Sequence, residues 1–270
     1  MKSYNSGEVR SIVVMGHSGC GKTSMMEACL FRADVIKRLG KVDEGNTISD
    51  YDSEEIRKKV SINTSVIPIE WMDTKINFLD TPGYFDFEGE VRTAAYVADA
   101  ALIMVSAKNG LEVGTEKAWN IAEEMKLPKM IFMSFMDDEK AHFERTLKEL
   151  REKFGKAVAP LQIPFFDAGG KVDGLINLIK RDARIKIDGK LSKCEMPADM
   201  IDLVEELRAM IVEVAAESDD ELMEKYFNNE ELTYEEIYYG IKQGIMDGRI
   251  SPVICGAAPM GYGVKLMTDR

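Results

Sequence analysis

Eight residues near the start of the chain have the types and spacing needed to hold phosphate: Gly16, His17, Ser18, Gly19, Cys20, Gly21, Lys22 and Thr23. They match G-x-x-x-x-G-K-[ST] without exception. The glycines let backbone N–H groups curl around phosphate oxygens, because positive φ costs glycine little. A helix starting there points its positive end at the anion. Lys22 is then expected to reach the β- and γ-phosphates, and the Thr23 hydroxyl to ligate Mg²⁺. Ser24 follows as a further candidate nucleotide contact. Such a loop needs an acidic partner at the end of a nearby strand. Asp80 fills that place, since it follows the apolar run 76–79 and opens Asp80-Thr81-Pro82-Gly83. Its carboxylate is expected to hold the metal through water. The Gly83 amide is expected to donate to the γ-phosphate, because no side chain blocks close approach. Lys22 and Gly83 are therefore candidate catalytic groups.

The surrounding pattern supplies elements to position these residues. A β-branched run at 10–15 (RSIVVM) precedes the loop, and helical periodicity over 23–37 follows it. Further apolar runs recur at 64–71, 75–79, 100–105, 129–133 and 252–255, and helical patterns at 88–98, 112–125 and 140–154 separate most of them. That alternation predicts an α/β protein with the P-loop NTPase fold, its mainly parallel central sheet flanked by helices. The rhythm breaks between about 157 and 251. One strand-like piece (158–164), a polar region (182–197) and three acidic amphipathic helical runs (197–217, 219–227 and 233–247) occupy that stretch. The simplest reading is a P-loop domain over 1–157 and 251–270, with an α+β insert over 158–250 placed before the last strand. Residues 263–268 read as the start of a helix, and the chain as part of a longer protein.

Composition narrows the function classes. The 270 residues are 45% hydrophobic, enough to bury a sizeable core. The formal net charge of −12 makes the chain a poor nucleic-acid binder by its overall field, and no sequence-specific nucleic-acid contact is expected. No apolar run is long enough to span a bilayer and no signal peptide precedes the first strand. The four cysteines, Cys20, Cys29, Cys194 and Cys255, form no CxxC pair, so the chain reads as cytoplasmic with free thiols. The 17 methionines read as core fillers. His142 reads as a solvated residue on a charged helix, and with His17 it makes no metal site.

Taken together, the motifs resemble the GTP-binding domain of elongation factor G and its close relatives, such as the ribosome-protection proteins. The resemblance spans nearly all of the chain. It rests on residues 16–23, 42–45 (VDEG), 57–62, 80–87 (DTPGYFDF), 219–226 (DDELMEKY) and 252–258 (PVICGAA). It implies GTP/GDP and Mg²⁺ as ligands, and further domains that touch the ribosome.

Departures from the family pattern carry their own implications. The family reads guanine with Asn-Lys-x-Asp, where this chain has Ser134-Phe135-Met136-Asp137. Asp137 keeps the carboxylate that accepts from guanine N1–H and N2–H₂ and repels the N1 acceptor of adenine. Ser134 is shorter than asparagine, and the Phe135 ring is expected to cover the base face. Gly256, Ala257 and Ala258 resemble the loop whose backbone amide meets the guanine O6. A lost polar contact costs about 1–3 kcal/mol, so binding should be weaker but still lean to guanine. Tyr84 stands where the family has a water-orienting histidine. A phenol, with an ordinary pKa of about 10, stays neutral and is a poor base, which implies slow hydrolysis. In the first switch segment the family's Arg-Gly-Ile-Thr-Ile is Lys58-Lys59-Val60-Ser61-Ile62. Ser61 keeps a hydroxyl for the metal and the γ-phosphate, whereas Lys59 restricts a backbone position that glycine leaves free. Gly19 replaces a common aspartate. The resemblance also implies an order–disorder switch in these two segments. Two functions stay open: a ribosome-dependent GTPase, and a nucleotide-loaded switch with little hydrolysis or relaxed base specificity. Asp137 argues against a third, an ATP-using P-loop enzyme.

Overall fold

The computed structural model describes residues 2–167, 169–187 and 190–264. Val13, Val14 and Met15 in strand β1 (Val9–Gly16) are consecutive and wholly buried. Neighbouring strand residues point to opposite faces, so this strand is covered on both sides. Six more strands join it: β2 (Ser65–Trp71), β3 (Thr74–Asp80), β4 (Ala100–Ser106), β5 (Lys129–Ser134), β6 (Val158–Pro160) and β11 (Ser251–Cys255). Their order is β2-β3-β1-β4-β5-β11-β6. Every pair is parallel except β2 with β3, a hairpin whose turn residues Met72 and Asp73 both take positive φ. Such a turn matches the twist of the strands it joins.

Helices α1 (Lys22–Arg32), α3 (Glu88–Tyr96), α4 (Val113–Glu124) and α5 (Phe143–Phe154) pack on this sheet or at its edge. The result is mainly parallel α/β, as the alternating pattern predicts. Two helices are shorter than their periodicity suggests. The first stops at Arg32, because the chain reverses through Asp34 in the left-handed region. The last begins at Phe143, after a turn in which the Asp138 carboxylate accepts from the Lys140 N–H.

The insert departs most from expectation. The strand-like piece 158–164 is two strands. Val158–Pro160 extends the central sheet at its β11 edge, and Gln162–Phe166 (β7) begins a second sheet. The region read as merely polar is a pair of antiparallel strands, β9 (Asp182–Ile187) and β10 (Lys190–Cys194), and β8 (Val172–Asn177) joins them to β7. Lys and Arg alternating with apolar residues made the region read as polar, yet that alternation is what a half-exposed antiparallel sheet requires. Three helices follow, α6 (Ile201–Ala216), α7 (Asp220–Phe227) and α8 (Tyr234–Met246). Asp219 caps α7 by accepting from the Glu221 and Leu222 amides, at 3.0 and 3.2 Å. Residues 265–268 of the expected C-terminal helix lie outside the described residues.

The first switch segment contains a short helix, α2 (Ser53–Lys58), capped reciprocally by Asp52 and Glu55. It ends at Lys59, which takes the left-handed conformation (φ 57°, ψ 39°). Position 45 is left-handed too, and a Cβ on Gly45 would lie 2.8 Å from Ile56 Cγ2, so VDEG is a turn against this helix. A lysine in left-handed backbone costs about 1 kcal/mol that glycine avoids. Lys59→Gly should therefore stabilise the chain by about 1 kcal/mol, read as a raised urea midpoint at unchanged slope. A lowered midpoint would contradict this account.

Candidate functional site

The phosphate loop turns over the tip of β1. Gly21 begins α1 at φ 90°, and a Cβ on Gly16 would strike the Met104 carbonyl oxygen at 2.4 Å. The Lys22 side chain is buried and its Nζ donates to the Gly16 and His17 carbonyls, at 3.1 and 2.9 Å. Gly83 passes directly across this loop: a Cβ there would lie 2.5 Å from Lys22 Nζ and 2.7 Å from Ser18 N. No side chain fits, so the motif's last glycine is a requirement of close approach. Gly19 faces open space. The Cys20 thiol is fully buried and its pKa is raised, mainly by that burial, so it fills space.

Below the loop lies a knot of oxygens. Thr23 Oγ1 donates to Asp80 Oδ2 at 3.0 Å and lies 3.3 Å from Ser61 Oγ. Ser61 in turn donates to Asp50 Oδ1 at 2.7 Å. Residues 23, 61 and 80, separated in sequence, thus converge. Asp80 is 1% exposed, and its Oδ1 is buried without a partner. Burial, partly opposed by the nearby Lys22 ammonium and the Thr23 hydrogen bond, pushes its pKa up to about 6. A cation with its own oxygen shell is what an under-satisfied carboxylate beside two hydroxyls fits. Among the described residues no group of three His, Cys, Asp or Glu side chains is arranged to hold a metal alone. Any ion here would share its ligands with phosphate oxygens. Sequence reasoning missed Asp50, whose own pKa burial raises.

The base side is assembled from the loops after β4, β5 and β11. Ser134 is buried beneath the phosphate loop, and its hydroxyl donates to the Cys20 carbonyl at 2.6 Å. From there it braces the loop. Phe135 takes φ 59°, and its ring lies against Gly21, where a Cβ would come within 3.3 Å. The Lys108 ammonium sits 4.3 Å from the centre of that ring and 3.4 Å from Asp138. Lys108 was not anticipated from the sequence. Asp137 is exposed, and its carboxylate has no partner among the described residues. The Met136 amide donates to the Gly256 carbonyl and the Gly256 amide to the Met133 carbonyl, tying the two loops together. Ala257 and Ala258 are buried.

His17 points away from the knot. Its Nδ1 accepts from the Gly114 N–H at 3.2 Å, which leaves Nε2 as the donor facing Glu112 at 3.6 Å. Its ring meets Phe85 edge-on, and the Lys117 ammonium lies 4.5 Å from the Phe85 ring centre. Phe85 is thus held between loop and α4. Its neighbour Tyr84 is about half exposed. Ser24, one residue past the knot, is partly buried on the first turn of α1.

The raised Asp80 pKa has a consequence for stability. An unfolded aspartate titrates near about 4, so the folded chain holds this proton more tightly. The associated stability is present below pH 4 and is lost as pH rises through about 6. In metal- and nucleotide-free chain, Asp80→Asn should gain about 2–3 kcal/mol relative to the unsubstituted chain between pH 4 and 7. Parallel stability–pH curves in denaturant melts would refute it.

Comparison with known proteins agrees with this geometry. Residues 7–270 match the family model described as the elongation factor Tu GTP binding domain. A Thermotoga maritima protein described as elongation factor G-like is 35% identical over 263 residues, covering 97% of this chain and 37% of that protein. A crystal structure of a Thermus thermophilus protein superposes with a TM-score of 0.91 at 33% identity, over 98% of this chain and 40% of that one. The chain spans well under half the length of both relatives. Phosphate loop, acidic strand end and family match converge on a single conclusion: the chain belongs to the elongation factor Tu GTP-binding domain family and is a GTP-binding domain of the elongation factor Tu and G type.

Proposed function

We propose that this chain is the GTP-binding domain of an elongation factor G-like translational GTPase, binding GTP or GDP with Mg²⁺ and hydrolysing GTP slowly on its own. The observation that carries the reading is the buried knot of Thr23, Ser61 and Asp80 under the Lys22 loop, with one Asp80 oxygen unpartnered. Thr23 and Ser61 would hold the metal directly and Asp80 through water. Bound there, Mg²⁺ neutralises phosphate charge. Lys22 exchanges its loop carbonyls for β- and γ-oxygens, and the amides from Ser18 to Ser24 line the phosphates. The Gly83 amide, pressed against Ser18 and Lys22, donates to the γ-phosphate. Asp137 accepts from the Watson–Crick edge of guanine, the base stacks beside Phe135, and the 256–258 backbone meets O6. The P-loop domain comprises 1–157 and 251–270, with the insert over 158–250. The first residues of that insert, Val158–Pro160, pair with β11 at the edge of the central sheet before Gln162–Phe166 opens the second sheet.

Tyr84 has the reach to orient a water but lacks a basic nitrogen, and positioning is most of what a protein contributes to phosphoryl transfer. Its exposure beside the clamped Phe85 also supports the second reading, a nucleotide-loaded switch with little hydrolysis. The ribosome is the partner proposed for the whole protein, through further domains, in the cytoplasm. No described helix is long and apolar enough to cross a membrane.

Titration calorimetry with Mg²⁺ should rank GTP above XTP and ATP, since the xanthine O2 and the adenine N1 both face Asp137 with lone pairs. Lys22→Ala should weaken GTP at least about tenfold, the scale of one charge-assisted contact. Tighter ATP than GTP would sink the guanine assignment. In single-turnover assays with ribosomes, Tyr84→His should raise the rate about a hundredfold or more, the lower end of what a positioned general-base group contributes. An unchanged rate favours the switch reading.

A further inference from the structure

Lys108 takes no part in the proposed reaction, yet the fold fixes it beside the base side. The Ala107 N–H donates to the Ser134 carbonyl at 3.1 Å, and the Ala107 carbonyl accepts from the His142 N–H at 2.9 Å. Arg145 Nη2 donates to the Lys108 carbonyl at 3.1 Å. The backbone at 107–108 is thus pinned to the end of β5 and to the start of α5. From there the Lys108 ammonium stands 4.3 Å from the centre of the Phe135 ring, with Asp138 Oδ2 3.4 Å away. The Lys108 and Asp138 side chains are 32% and 34% exposed, and an ion pair that open to water contributes little by itself. The ring is the partner that distinguishes this lysine.

Phe135 connects that charge to the phosphate loop. Its Cζ and Cε2 lie 3.3 and 3.4 Å from where a Cβ on Gly21 would stand, and the residue is only partly buried. A triphosphate in the loop has its γ end between Lys22 and Gly83, so its nucleoside leaves on another side. The ring beside Gly21, with exposed Asp137 two residues on, marks that side. A cation held against one face draws π-density from a ring, and such a ring stacks best on an electron-rich partner. Guanine is the most electron-rich of the common bases.

We propose that Lys108 is a positioning residue for the guanine base: its ammonium holds and polarises the Phe135 ring on which the base stacks. Affinity for the base then comes largely from this stack, while Asp137 reads the base edge. The inference rests on the proposed GTP-binding reading and adds the group that carries the base. Because the stack touches neither phosphate nor metal, Lys108 serves GDP and GTP alike.

Titration calorimetry on the whole chain, with GDP and with a non-hydrolysable GTP analogue in Mg²⁺, tests this. Lys108→Met keeps the stem and removes the charge. It should weaken both nucleotides about fivefold, the scale of a half-exposed cation–ring contact, and leave the Mg²⁺ concentration for half-maximal binding unchanged. Lys108→Arg keeps a cation for the ring and should bind within about twofold of the unsubstituted chain. Phe135→Leu removes the ring, and adding Lys108→Met to it should cost less than about twofold more. The proposal is overturned by a Lys108→Met loss below about twofold, or by one that recurs in full without the ring. It is equally overturned if Lys108→Arg loses as much as Lys108→Met, or if the loss is confined to the analogue or raises the Mg²⁺ requirement, since each marks a merely structural role. Should Lys108→Met not fold, Lys108→Gln read in the same way decides. If the unsubstituted chain binds no guanine nucleotide, the proposed function falls and takes this inference with it. Guanine nucleotide binding that no Lys108 substitution moves overturns this inference alone.

Discussion

At the C-terminal tip of β3 a carboxylate is buried with only one of its oxygens satisfied. Asp80 has Thr23 on one side and an unpartnered oxygen on the other, and loss of water raises its pKa to about 6. A protein selected for stability alone would place an apolar residue there. The arrangement makes sense as a site left electrostatically incomplete, to be completed by a cation and its phosphate partners. Much of the surrounding architecture serves that one group. β1 and β3 run side by side in register, Val14 opposite Asp80, which sets the phosphate loop next to the carboxylate. Thr81, the next residue, fastens the strand end by donating to the Val14 carbonyl at 2.6 Å. Gly83 can then cross the loop.

Parallel order places the other contributors at the same edge. The loops after β1, β3, β4, β5 and β11 all leave the C-terminal ends of their strands, where ligands of open α/β sheets bind. The insert leaves from the far edge strand β6 and returns at β11, so it disturbs no strand between β3 and β5. It is nonetheless tied to the base side. Gln162 at the start of the second sheet donates to the Cys255 carbonyl at 2.6 Å, just before Gly256. The insert thereby braces the strand from which the 256–258 loop hangs.

What was legible in the sequence follows from how local each determinant is. The phosphate loop is a single run of eight residues, and the central strands are unbroken apolar runs, so both could be read directly. α2 could not: it is six residues long and specified by its Asp52–Glu55 cap rather than by an apolar stripe. β9 and β10 were obscured by their charged residues, of which Arg184 and Lys193 are solvent-exposed, although an Asp-Gly pair between the two runs was an available signal. The partners of the site were the least legible. No spacing rule links Asp50 to Ser61 and Thr23, Glu112 to His17, or Lys108 to Phe135, because the fold creates those pairings. Ser134 is a further case, since nothing in its spacing announces the hydrogen bond it makes to the phosphate loop.

The base side shows how one departure recruits others. Residue 135 takes left-handed backbone while carrying a ring, a strained choice for an aromatic residue. Contact with Gly21 and the Lys108 ammonium over the ring offsets that strain. Lys108 is itself anchored by Asp138, whose carboxylate is held below its usual range first by the Lys140 amide and then by Lys108. A positive charge therefore stands beside this loop, supplied from the neighbouring strand end. Phe135 and Lys108 form one unit: a lysine returned to position 135 alone would set two ammonium groups against each other. Ring, cation and carboxylate at 135, 108 and 138 thus depend on one another.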